Sequence, residues 1–192
     1  MLMIRRALDI DTKRMLEMSL DYSPDPYSNV NQFYYGLKDR VSSQNDDLPQ
    51  FLTYVLLERH GSSRWKQLGH ISHQLFYFPK NVAIVEDLAL DLDALNKVGN
   101  EREAASLLVR CSEDSTIRRF HAETKGTLKK FIKEINENSV EKNIFVQSGY
   151  TPLGGLNHYG YRDYHKVVED VCVNTINGLT IQGTQTKIGR KA

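Results

Sequence analysis

Apolar positions recur along the chain in two rhythms, one of about two residues and one of about 3.6, and each change of rhythm predicts a new element. Residues 1–6 (MLMIRR) read as a short strand. Asp9 or Asp11 can cap a helix over residues 12–20, whose apolar positions are Met15, Leu16, Met18 and Leu20. The prolines of DYSPDPYSN mark a loop. Asn29 can cap a second helix over residues 30–42, with Phe33, Tyr34, Leu37 and Val41 at helical spacing. Residues 50–59 (QFLTYVLLER) and 67–78 (QLGHISHQLFYF) are strands rich in β-formers, joined by a turn, and PKN turns the chain into a third strand. Together these predict an antiparallel meander.

Residues 81–110 carry the centre of the pattern. Val82, Ile84, Leu88 and Leu90 make a strand interrupted by Glu86 and Asp87. Ala104, Leu107, Leu108 and Cys111 recur as a helix, and a polar connection with one glycine, Gly99, lies between. A strand feeding a helix through such a loop aims free backbone N–H groups at one point, which suits an anion such as a pyrophosphate. Beyond a turn at SEDS, the pattern predicts a strand over 116–124, a helix over 127–137 with Leu128, Phe131, Ile132 and Ile135 on one face, a strand over 143–148, and a strand near 164–168. Asn177 and Gly178 between alternating runs predict a C-terminal hairpin, residues 171–176 against 179–184.

Composition narrows this little. A chain of 192 residues, 40% hydrophobic and 26% charged, is expected to be one globular domain with a modest extension, or two small domains. The formal net charge of +1 argues against a generic nucleic-acid or membrane-surface binder. Cys111 and Cys172 make neither a disulfide framework nor a zinc motif, so a reducing, cytoplasmic setting is expected. The early charges of MLMIRRALDIDTKR do not read as a signal peptide, and no apolar run nears the roughly 18–20 residues that span a bilayer.

Several pieces together, in order, resemble the GNAT family of N-acetyltransferases: IRRALDID with a helix after it, LGHISHQLF–PKN–VAIVEDLAL as a central hairpin, AASLLV as the following helix, and SGYTPLGG near the end. The resemblance covers roughly residues 2–166. It implies an α+β fold, a mixed and mostly antiparallel sheet flanked by helices, over residues 1–168, with residues 169–192 as a hairpin extension. It implies acetyl transfer from acetyl-CoA to an amine, with backbone N–H groups around Leu88, Ala89 and Leu90 holding the acetyl carbonyl. The family's phosphate loop would fall on Gly99, Arg102 and Ala104; only Ala104 fits its pattern, and Arg102 stands where the family has a glycine.

The family's proton-donating tyrosine maps onto Phe145 if residues 138–150 are the last helical segment, or onto Phe131 if residues 128–135 are; the amphipathic pattern favours the second. Tyr150, Tyr159 and Tyr161 are nearby substitutes. For the general base, Glu86 is the first candidate, with His121 and Glu123 on the next strand; alternation sets Glu86 and Asp87 on opposite faces. His70 and His73, three apart on a strand, do not pair for a metal. Arg102 and the phenylalanine support a second expectation: an inactive structural or interaction subunit, such as a phage virion component, assembling with a protein partner through the C-terminal hairpin.

Overall fold

Strand alternation gives the central sheet two covered faces. In β2 (Phe51–His60), Leu52, Tyr54 and Leu56 join one apolar cluster while Val55 and Leu57 join another. The second cluster is completed by Met3 of β1 (Leu2–Arg6), Met15 of α1 (Thr12–Tyr22), and Leu37 and Val41 of α2 (Val30–Ser43). The first and larger cluster lies under α3 (Leu92–Val98), α4 (Glu101–Thr124) and α5 (Val140–Gln147). The computed structural model describes residues 1–22, 30–61, 64–98, 101–168, 180–182 and 185–188.

The remaining strands are β3 (Arg64–Phe76), β4 (Val82–Leu90), β5 (Lys130–Asn136), β6 (Thr151–Leu153), β7 (Tyr161–Val167), β8 (Thr180–Gln182) and β9 (Gln185–Ile188). Among the described residues they form one sheet in the order β6-β7-β5-β4-β3-β2-β1-β9-β8. All the pairings are antiparallel except β4 with β5. The expected mixed, mostly antiparallel sheet flanked by helices is therefore present. Thr180–Gln182 falls in the second predicted strand of the C-terminal hairpin and pairs with β9; residues 171–176 and the turn at Asn177 and Gly178 lie outside the described residues.

The first half of the chain matches the pattern reading closely, and the second half corrects it. The polar connection after β4 contains a helix, α3, capped by Asp91, whose Oδ1 accepts the Ala94 N–H at 2.9 Å. The predicted strand over 116–124 is the second half of α4, a single helix of 24 residues. Its inward stripe includes Ser112, Glu113 and Thr116, so the apolar period breaks although the helix does not. Each of these has a partner: Ser112 Oγ donates to the Val109 carbonyl, Thr116 Oγ1 lies 2.8 Å from His73 Nδ1, and Glu113 accepts from Tyr150 and Lys166.

The predicted helix over 127–137 is strand β5, in which Phe131, Lys133 and Ile135 point inward by alternation. The predicted strand over 143–148 is helix α5, with Ile144, Phe145 and Ser148 buried at helical spacing. Gly149 (φ +93°) ends α5 in a left-handed turn, with Gly149 N–H donating to Val146 O and Tyr150 N–H to Phe145 O, both at 3.0 Å.

Candidate active site

The parallel pair β4 and β5 is joined for only three residues, from Val82 opposite Lys130 to Ile84 opposite Ile132. Beyond that the strands part, and a cleft of about 1190 Å³ opens between them, walled by α1, the start of α3 and the start of α5. The parting leaves one edge of β4 without a strand partner. Asp91 N–H donates to Leu68 O at 2.8 Å, so Asp91 sits in a hydrogen-bonded position against β3. In an antiparallel ladder such positions alternate, which turns the N–H groups of Leu90 and Leu88 away from β3 and toward the cleft.

A β-bulge shapes the same strand. The register against β3 slips between Ser72 and His73, leaving Glu86 as the extra residue of β4. Ala83, Val85, Leu88 and Leu90 consequently share one core face, at spacings that strict alternation forbids. The expected placement of Glu86 and Asp87 on opposite faces is corrected by this bulge: both line the cleft. Close approach of β3 to β4 here depends on Gly69, where an added Cβ would lie 2.8 Å from Leu90 Cδ2 and 3.1 Å from the Ala89 carbonyl oxygen. Gly69→Ala is expected to destabilise the fold by about 1–3 kcal/mol, readable as a lowered denaturant midpoint.

The cleft is acidic. Asp21 of α1, Glu86 and Asp87 of β4, Asp91 and Asp93 at the start of α3, Glu134 of β5 and Glu141 of α5 line it, against two cations, Arg14 and Lys133. Arg14 is already engaged, at 2.8 Å from Asp91 and 3.1 Å from Glu17. Burial pushes the Glu141 carboxyl above its ordinary range, and nearby Asp87 adds to this while Lys133 opposes it. Asp87 goes the other way. Burial pushes it up, but its bond to His70 and the charges of His70, Lys133 and Arg40 hold it below the ordinary value. The two neighbouring acids are thus shifted in opposite directions, Glu141 up and Asp87 down.

Below Asp87 sits a buried polar trio. Asp87 Oδ2 accepts from Ser19 Oγ at 3.2 Å and lies 3.0 Å from His70 Nε2, which is itself 3.1 Å from Ser19 Oγ. Both contacts of the histidine fall on the same ring nitrogen, Nε2, so the trio lacks the relay order of a nucleophilic triad. His73 faces α4 instead, 2.8 Å from Thr116 Oγ1 and 3.4 Å from Ser112 Oγ, and burial lowers it to about 3. The two histidines therefore engage opposite faces of the sheet.

The other residues singled out from sequence scatter. Ala89 is buried on the far face of β4 from Leu88 and Leu90. His121 and Glu123 lie on the last turns of α4, and exposed His121 has Nδ1 3.2 Å from the Gly126 carbonyl oxygen, away from the cleft. Tyr150 is buried, with its hydroxyl donating to Glu113 Oε1 at 2.6 Å, and burial, then Glu113, pushes it well above the usual tyrosine range. Ala104 is a core residue of α4. Arg102 stands in the first turn of α4, and its side chain and Gly99 lie outside the described residues.

The favoured register for the family's tyrosine is overturned, because residues 130–136 are strand. Residues 138–150 form the last helical segment, which puts Phe145 at that place, buried edge-on to Tyr150 at 5.0 Å. Glu141 and Lys133 were missed. Lys133 is a charged residue at an inward position of a strand, and Glu141 belongs to a helix whose exposed Val146 imitates a strand.

No family model matches the chain, and no curated protein sequence matches it. Solved structures do. Spermidine N-acetyltransferase from Vibrio cholerae, solved with CoA and spermine, superposes with a TM-score of 0.63 at 12% identity, over 86% of this chain and 95% of that one. The PaiA N-acetyltransferase from Thermoplasma acidophilum, solved with coenzyme A, gives 0.61 at 14% identity, over 88% and 99%. Ribosomal-protein-alanine N-acetyltransferase from Brucella melitensis gives 0.56 at 16% identity, over 86% and 99%. The chain has the fold of the GNAT N-acetyltransferases. No helix among the described residues is long and apolar enough to cross a membrane.

Proposed function

We propose that the chain is an N-acetyltransferase that moves an acetyl group from acetyl-CoA to an amine. The observation that carries this reading is the open edge of β4, where the N–H groups of Leu88 and Leu90 face an acid-lined cleft. Acetyl-CoA, when bound, supplies an acyl carbon activated as a thioester. A slot between parted strands with unpaired backbone donors fits an extended amide-containing arm, as a missing strand would. The Leu88 and Leu90 N–H groups would hold the acyl carbonyl and stabilise negative charge gathering on its oxygen. Glu141, raised toward working pH, is the base that takes a proton from the acceptor ammonium and frees its lone pair. Ionised Asp87 keeps the ammonium beside it, and Glu86 on the bulge is a second carboxylate at the same wall.

Relatives of the same fold solved with coenzyme A or spermine support this choice of donor and of a cationic acceptor. Titration calorimetry with acetyl-CoA is expected to give saturable binding in the range of about 1 μM–1 mM usual for enzyme substrates. Release of CoA thiol in the presence of an amine panel is the matching turnover assay. An absence of binding at several millimolar would sink the reading.

A further inference from the structure

One cleft residue asks for more than an amine. Lys133 is 8% exposed and lines the cleft, yet among the described residues its ammonium makes no hydrogen bond and no ion pair within 4 Å. Its stem is buried while its ammonium is not among the enclosed unpaired atoms, so three donors that the protein leaves unused open on the cleft. Glu141 and Asp87 lie within its electrostatic reach without closing on it.

We propose, building on the acyl-transfer reading of this cleft, that the acceptor is an amino-acid-like zwitterion. Its carboxylate meets the Lys133 ammonium, and its amine meets Glu141 and Asp87. Such a ligand carries both signs of charge, as the wall does with Lys133 beside Glu141 and Asp87. A diamine or polyamine satisfies the acids but sets a second positive charge against Lys133, which rejects it by repulsion and leaves the lysine unpartnered. A neutral amine leaves Lys133 empty as well. A carboxylate beside the amine satisfies both signs with a charge-assisted hydrogen bond. The single lysine in an acidic wall is thus a specificity element that selects against the polyamine class.

Matched pairs differing only in the carboxylate test this: L-lysine with cadaverine, L-ornithine with putrescine, L-phenylalanine with phenethylamine, and L-methionine with 3-(methylthio)propylamine. Equilibrium binding to the full chain is measured by calorimetry without acetyl-CoA. In at least one pair the amino acid is expected to bind about tenfold or more tightly than its match, a difference of about 1.4 kcal/mol. Lys133→Gln is expected to bring that ratio to about twofold or less, and Lys133→Arg to retain part of it.

The proposal is overturned if every amine binds as well as its amino acid, if the preference survives in Lys133→Gln, or if no member of any pair binds. Acetyl-CoA is titrated separately. Binding of acetyl-CoA without a carboxylate preference removes this inference and leaves the acyl-transfer reading standing. A carboxylate preference without acetyl-CoA binding removes acyl transfer and upholds Lys133 as the anchor.

Discussion

Glu141→Gln is expected to lower kcat/KM for acetyl transfer by about 10²–10⁴-fold while leaving the dissociation constant of acetyl-CoA unchanged. The amide keeps the shape of the side chain but has no basic oxygen to take the ammonium proton. The wild-type pH profile carries the same information with a definite sign. Glu141 must be ionised to act, and burial holds its carboxyl above the ordinary 4.5. Activity therefore rises with pH along an acid limb displaced above that value. Asp87 pushes Glu141 up and Lys133 pulls it down. Asp87→Asn is expected to move the limb to lower pH and Lys133→Gln to higher pH, whatever each does to affinity. A merely structural Glu141 would not produce opposite shifts from these two neighbours. If Glu141→Gln kept more than a tenth of activity while Glu86→Gln lost it, the bulged carboxylate would be the base instead.

Buried polar residues, Lys133 of the cleft among them, hid part of the fold in the sequence. Elements whose inward positions are mainly apolar, such as α2 with Leu37 and Val41 or β2 with its two interleaved sets around one buried Thr53, follow their periods and are legible. Two of the misread elements, β5 and α4, place polar side chains inside. Lys133 stands at an inward position of β5 and broke its alternation, so that Phe131, Ile132 and Ile135 imitated a helix. Ser112, Glu113 and Thr116 on the inner stripe of α4 imitated a turn and a strand. Tertiary hydrogen bonds satisfy these α4 groups, and no local pattern foretells their partners.

The bulge at Glu86 was similarly invisible, because it arises from the register of β3 against β4. By contrast, α3 left a signal, since Asp91 three residues before Ala94 is an ordinary helix cap. The broad element order and the central hairpin carried the resemblance correctly. The carboxylates that matter chemically needed the fold to bring α5 against the open end of β4.

Lys166→Met is expected to destabilise the fold by about 3–5 kcal/mol, a large part of the 5–15 kcal/mol that holds a typical domain. Glu113 is almost fully enclosed, and its two oxygens accept from Tyr150 Oη and Lys166 Nζ, each at 2.6 Å. Burial pushes its carboxyl up, and Lys166 and the Tyr150 hydrogen bond work against that. Removing the ammonium leaves a carboxylate inside the protein with one hydroxyl for support. Adding Glu113→Gln to Lys166→Met removes the stranded charge, and the double variant is expected to recover most of the loss.

The pH dependence has a fixed sign. A carboxyl held above its unfolded value of 4.5 favours the folded state in its neutral form below that pH, and this advantage is lost as pH rises through the folded value. The penalty of Lys166→Met is therefore small near pH 4 and complete at pH 8, where denaturant midpoints should separate most widely from wild type. A pH-independent loss, or no rescue by Glu113→Gln, would assign Lys166 to packing rather than to charge. The cost also reaches the cleft. Tyr150 is joined to the end of α5 through Gly149, so the Glu113 anchor fixes the helix that carries Glu141. Lys166→Met should accordingly lower activity at neutral pH, and the double variant should restore activity and stability together.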